Sequence, residues 1–238
     1  MAADEIGRVA AIHRYPVKSM RGEAMASAAL GWNGIEGDRQ YAFYRAGDGS
    51  RFPWLTGRDI ADLVRHAATY ADPADPRRSP VWVTAPDGAE FDLRAPALAA
   101  RLAAACGEEV RLLQLGRGTF DSMPVSVVTG AMFRALGEAF GGPLDAARFR
   151  INLILDSEAR EEEWLGRTLI FGEGDAAVRL RVNRPIPRCR MITIDPATAE
   201  RDPAVLRLVA ERFGNMVGAY CAPDRPGTVR AGDRVRLT

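Results

Sequence analysis

The sequence predicts a mainly β, α+β fold: a two-part, β-barrel-like architecture with a few short helices. Three observations lead there. Short extended runs recur along the whole chain. Few stretches carry helical spacing. Nothing shows the strand–helix alternation of a doubly wound sheet.

Residues 8–15 alternate loosely and form a strand closed by Pro16. Residues 40–45 form another, followed by the turn Gly47-Asp48-Gly49. Thr56 and Asp59, placed ahead of Ile60, Leu63 and Val64, predict an N-capped short helix. Residues 72–80 are proline-rich and read as a loop, and residues 81–84 and 90–93 flank Asp87-Gly88 as a hairpin. A helix over 97–105 and a strand over 109–115 follow. The small polar break at 116–119 sets a boundary between parts 1–116 and 117–238. Beyond it come a helix over 130–140 and strands over 149–155, 168–171 and 178–182. Asp202-Pro203 opens a helix to about Phe213, and strands over 217–221 and 234–237 close the chain.

The 238 residues are 47% hydrophobic and 26% charged, the balance of a globular chain. No apolar run is long enough to span a membrane. Residues 1–5 carry two acids and no apolar stretch, so they do not read as a secretory leader. Three cysteines without regular spacing argue against a disulfide framework and for reduced thiols in the cytoplasm. A net charge of +1 gives no bulk attraction to nucleic acid or to a membrane surface, and neither is an expected partner.

The basic residues differ in kind. Of 32 Lys plus Arg, Lys18 is the single lysine, which singles out its site because ammonium and guanidinium are not interchangeable. Only two histidines, His13 and His66, leave no basis for a His-rich metal site. No nucleophile elbow, phosphate loop or dinucleotide fingerprint occurs.

Two segments remain. In 183–191 two prolines lead to Cys189 between Arg188 and Arg190, where positive charge favours a thiolate. The residues alone lean towards the other reading, a small buried hydrophobe in a strand beside surface arginines. In 15–19 a strand turns at Pro16 into Lys18 and Ser19, a cation and a hydroxyl suited to an oxyanion. Taken alone, that segment reads better as a solvated turn. Trp164 reads as core, and Glu161-Glu162-Glu163 as a solvated face.

The ordered set of motifs resembles the MOSC family, the molybdenum-cofactor sulfurase C-terminal domain with its N-terminal β-barrel partner, and within it the amidoxime-reducing branch. It runs from Gly7 to Leu237. It comprises Tyr15-Pro16-Val17-Lys18-Ser19, Asp38-Arg39, Thr56 with Arg58, Phe120-Asp121-Ser122 with Pro124, and Arg150 with Asn152. Arg188-Cys189 with Thr193, Asp195 and Pro196 is the most diagnostic element, and Gly218 with Tyr220, Pro226-Gly227-Thr228 and Gly232-Asp233 complete the set. Ile151 stands where the family has proline, and Thr129 and Met132 where it has serines.

The resemblance implies an N-terminal barrel domain over 1–116 and a MOSC domain over 117–238. It implies a molybdenum–molybdopterin cofactor whose metal takes the Cys189 thiolate. Lys18, Ser19, Arg39, Thr56, Arg58, Asp121, Ser122, Arg150, Asn152, Arg188 and Tyr220 would face the cofactor. Taken singly, Arg58 and Arg148 also read as surface cations.

The implied activity is reduction of a small N-hydroxylated substrate. Electrons would come from a separate ferredoxin- or flavoprotein-like donor, because the cysteine set for a fused iron–sulfur cluster is lacking. A non-catalytic cofactor carrier and a sulfur-transfer protein with a Cys189 persulfide are the alternatives.

Overall fold

The computed structural model describes residues 3–238. The reading of residues 1–5 as no leader lies partly outside them, at Met1 and Ala2. Strands β1 (Asp4–Arg14), β2 (Glu23–Met25), β3 (Ser27–Gly31), β4 (Gly34–Ile35) and β5 (Tyr41–Arg45) come first. They are followed by β6 (Ala67–Tyr70), β7 (Val81–Thr84), β8 (Glu90–Asp92), helix α1 (Pro96–Cys106) and β9 (Val110–Gln114). The rest comprises β10 (Val125–Thr129), α2 (Gly130–Phe140), β11 (Leu153–Asp156), β12 (Thr168–Phe171) and β13 (Val178–Pro187). Helix α3 (Pro203–Phe213), β14 (Met216–Arg225), β15 (Gly227–Arg230) and β16 (Arg234–Leu237) end it. Among the described residues no helix is long and apolar enough to cross a membrane.

Seven strands close into a barrel in the order β11-β10-β14-β13-β12-β16-β1, with β1 returning to pair with β11. The mainly β, α+β expectation holds. One relationship was invisible in the pattern: β1 precedes the sequence break at 116–119, yet it pairs with β11 and β16, both beyond it. Likewise β3 pairs with β15. The two ends of the chain are therefore laced together by backbone hydrogen bonds.

Every residue of β10 is buried, because one face meets the barrel interior and the other meets α2 and α3. By contrast β13 alternates between buried and exposed over its first half, the period of a half-covered strand. The barrel is filled by side chains such as Val127, Leu153, Leu169 and Leu180, with fully buried Trp164. A second core, around Phe43, Leu63, Leu98 and Leu102, holds β5–β9 and α1 together. A third, with Leu136, Phe149, Val205 and Val209, lies under α2 and α3. Both of these helices stop at a glycine in the left-handed conformation. They start on Thr129 and Asp202, whose side chains accept from Met132 N and Ala204 N.

Four expectations need correction. The strand expected over 149–155 begins only at Leu153. Residues 146–149 form a 3-10 turn and Arg150, at φ 54°, redirects the chain. The helix after Asp59 is a 3-10 turn (Ala61–Arg65) that carries no side-chain cap. Asp59 instead accepts from Thr56 N and Oγ1 in the preceding turn.

The strand expected over 178–182 runs on to Pro187, since prolines are compatible with a bulged, irregular ladder. Glu161 is not on a solvated face. It is 5% exposed and accepts from Thr129 N at 2.7 Å and Thr129 Oγ1 at 2.9 Å.

Candidate functional site

Where the barrel meets the N-terminal core, a cavity of about 360 Å³ opens. All twelve residues singled out from the sequence, from Lys18 to Tyr220, line it. They come from turns and strand ends in both halves of the chain.

Lys18 is 7% exposed, so the solvated-turn reading is corrected. The isolated bridge between Val17 and Tyr41 holds its turn against β5. Its Nζ donates to Thr119 O at 2.9 Å and meets Asp121 Oδ1 at 2.5 Å. Burial lowers its pKa, and the adjacent Asp121 carboxylate acts in the opposite direction.

Ser19, Arg39 and Arg150 have φ of 64°, 49° and 54°. Among the described residues only five non-glycine residues have positive φ, and three of them line this cavity. Such conformations cost about 1–3 kcal/mol each and persist where surrounding structure over-determines them. Here the surroundings are visible. Arg39 N donates to Tyr15 O at 2.6 Å, and Arg39 Nη2 donates to Arg150 O at 2.8 Å. Arg150 Nη1 donates to Met20 O at 2.6 Å. Both guanidiniums lie against the Tyr15 ring, at 4.7 and 4.4 Å from its centroid.

Cys189 is exposed, which corrects the buried-hydrophobe reading. It follows the Pro185–Pro187 stretch of β13 and precedes the 3-10 turn Arg190–Thr193. Its neighbour Arg188 turns inward, donating to Phe149 O at 2.9 Å and from Nε to Val217 O at 3.0 Å. Burial pushes the Arg188 pKa down to about 10, and burial followed by repulsion from Arg39 does the same to Arg150. Arg39 moves up: burial opposes its charge, but the Asp38 carboxylate outweighs it.

Other candidates are committed to the protein. Asn152 is 1% exposed; its Oδ1 accepts from Ser126 Oγ at 2.9 Å and its Nδ2 donates to His13 O at 3.2 Å. Thr56 Oγ1 accepts from Arg58 N and Nε, orienting that side chain. Arg58 remains an exposed residue on the rim, whereas Arg148 is no surface cation. Arg148 Nη2 lies 2.6 Å from Asp195 Oδ2, and Nη1 donates to Thr193 O at 3.2 Å.

Sequence reading missed Arg184, which donates to Ser122, and Phe52, whose ring lies under Lys18 and Arg58. The one available signal was the aromatic cluster Phe52-Pro53-Trp54 just ahead of Thr56. In all, seven cationic side chains line the cavity against one carboxylate, Asp121. An arrangement so unbalanced suits a multiply anionic ligand.

Comparison with known proteins matches both halves of the chain. Residues 6–115 match the MOSC N-terminal beta barrel domain and residues 116–236 the MOSC domain. The chain is 33% identical over 108 residues to the molybdenum cofactor sulfurase of Drosophila yakuba, covering 40% of this chain and 13% of that protein. It is 35% identical over 88 residues to that of Bombyx mori, covering 36% of this chain and 10% of the relative. The chain therefore matches only a small part of these relatives' length.

The crystal structure of the YUAD protein from Bacillus subtilis superposes with a TM-score of 0.53 at 14% identity, over 99% of this chain and 98% of the other. At that identity the likeness is one of fold. With both halves matched in order, the chain belongs to the MOSC domain family, with a MOSC N-terminal beta barrel domain ahead of its MOSC domain.

Proposed function

We propose that the cavity holds a molybdenum–molybdopterin cofactor and that the protein, acting in the cytoplasm, reduces small N-hydroxylated compounds with electrons from a separate donor protein. The observation that carries this reading is one exposed thiol, Cys189, in a cavity with seven cations and a single acid.

The residues fit such a group. Among the described residues no three His, Cys, Asp or Glu side chains converge on a bare metal ion. A lone soft thiolate suits a metal that brings sulfur ligands with it. Lys18, Arg39, Arg58 and Arg150 would offset the phosphate and pterin charge. When bound, the cofactor supplies a metal centre that takes up and releases two electrons.

The chain's own work is binding and orientation. Arg188, fixed on two carbonyls, holds the Cys189 backbone, and the Arg148–Asp195 pair holds the segment beyond it. Asn152 fixes the β1–β10–β11 junction from which Arg150 projects.

A second reading is supported by the relatives called molybdenum cofactor sulfurase. In it the Cys189 thiolate takes sulfane sulfur from the persulfide of a separate donor protein, which is left as a thiol, and passes it on to an acceptor, or the protein delivers cofactor without turnover. Elemental analysis of protein from a cofactor-competent host, followed by assay of N-hydroxylated substrates with a chemical reductant, decides between them. Molybdenum with turnover supports the reductase. Full metal occupancy without turnover leaves the carrier, and labile sulfur on Cys189 without molybdenum leaves sulfur transfer.

A further inference from the structure

A second cavity, of about 420 Å³, lies on the other side of the wall formed by Arg148, Arg150 and Met191. Its volume is in the range of small-molecule sites. None of the chemistry assigned to Cys189 uses it.

Its polar groups converge from separate elements. His13 comes from β1, Arg21 from the turn after Met20, and Arg148 and Arg150 from the segment before β11. Three buried nitrogens here have no partner: His13 Nδ1, Arg148 Nε and Arg150 Nη2. Leaving a buried donor unmatched costs about 1–3 kcal/mol, so three around one space are conspicuous. Among the described residues the Arg21 guanidinium is also without a hydrogen bond or ion pair, and Arg21 is exposed at the rim. The charges facing the space are Arg21, Arg148 and Arg150 against Asp145, and Arg148 is already paired with Asp195. Asp145 is spent in part on Ala147 N, which it caps at 2.8 Å. Apart from Tyr15, whose hydroxyl donates to Ile151 O, the remaining wall is mostly apolar, with Ile154, Met191 and Pro196 partly exposed.

We propose that this second cavity binds a small carboxylate with a short hydrocarbon body. The carboxylate would lie between Arg21 and Arg150 with His13 as an additional hydrogen-bond partner, and the tail would lie on the partly exposed Ile154 and Pro196. Guanidinium forks match carboxylate geometry, and the neighbouring aliphatic wall favours an alkyl tail over a phosphate or sulfate. The site shares Arg150 with the first cavity but uses neither Cys189 nor Lys18.

The β1–β2 ladder supplies a blocking position. Ala24 is directly opposite His13 and lies at the exposed rim, so a large side chain there covers the imidazole without entering a core. Titration calorimetry of the full chain with isovalerate is expected to give saturable one-site binding. Affinity should fall at least about tenfold in Arg21→Ala, a loss typical of a charge-assisted pair, and vanish in Ala24→Trp.

Ala147→Leu, at a second exposed rim position, provides an independent block should Ala24→Trp fold poorly by its melting temperature. Isovaleramide should bind at least about tenfold more weakly than isovalerate, and Cys189→Ser should bind isovalerate as the wild type does. No saturable heat, equal binding of the amide, or binding that survives a folded blocking variant would overturn the proposal.

Discussion

Lys18 Nζ sits 2.5 Å from Asp121 Oδ1, joining a turn after β1 to the segment that leads into β10. The carboxylate is 59% exposed but the ammonium is not, so the pair is a buried cation reaching outward. Lys18→Arg keeps the charge but must place a planar fork where a point charge donates to Thr119 O. We expect a loss of about 1–2 kcal/mol in urea denaturation and lower molybdenum retention. Wild-type values for both would remove Lys18 from the site.

Cys189 is exposed, so Cys189→Ser should shift stability by less than about 0.5 kcal/mol. Molybdenum content and the visible spectrum of the purified protein should change sharply nonetheless. A serine variant with an unaltered metal centre would falsify the thiolate assignment.

Ser19 holds φ at 64° without being glycine. Ser19→Gly relieves that conformation and should be neutral to about 1 kcal/mol stabilising, while losing the hydroxyl lining the cavity. On the same sample, metal content should fall while the melting temperature holds or rises.

Glu161 titrates high because burial disfavours its charge, an effect that its bonds from Thr129 only partly offset. With the folded pKa above the unfolded value near 4.5, its contribution is full below that pH and declines as pH rises through the folded value. Glu161→Gln keeps an acceptor oxygen and loses the charge. Its stability relative to wild type should rise between pH 4.5 and neutrality, read as urea midpoints along a pH series. A pH-independent difference would place the cost elsewhere.

Arg148 ties the segment after Cys189 to the turn before Arg150, through Asp195 and Thr193 O. Arg148→Ala removes both contacts, although Thr193 O keeps Asp202 N and Asp195 keeps Ala197 N and Thr198 N, and should cost about 1 kcal/mol. Hydrogen exchange should quicken first over residues 190–195, and Arg148→Lys should recover part of the protection. Uniform exchange over the whole chain would mean that the pair holds no particular segment.

Local patterning was enough wherever the determinant was local. The span of α2, the capped start of α3 at Asp202-Pro203, and β12 and β16 follow from apolar spacing, caps and glycine stops within a few residues. The candidate residues were legible as an ordered set of motifs. Strands as short as β2 and β4 left no readable period, because two or three residues cannot display one. Glu161 looked like part of a solvated run because its partner, the Thr129 backbone, is 32 positions away.

By itself the sequence determined the strand-rich class, the three helices, the uneven cation chemistry and the thiol at 189. Tertiary structure alone decided that β1 closes a barrel built from the other end of the chain, and that Ser19, Arg39 and Arg150 adopt positive φ around one space. The physical reason is range. Helix spacing and caps act across one or two turns, whereas closing a sheet and overriding a backbone preference need hydrogen bonds to residues more than a hundred positions away, like the one Arg39 donates to Arg150 O.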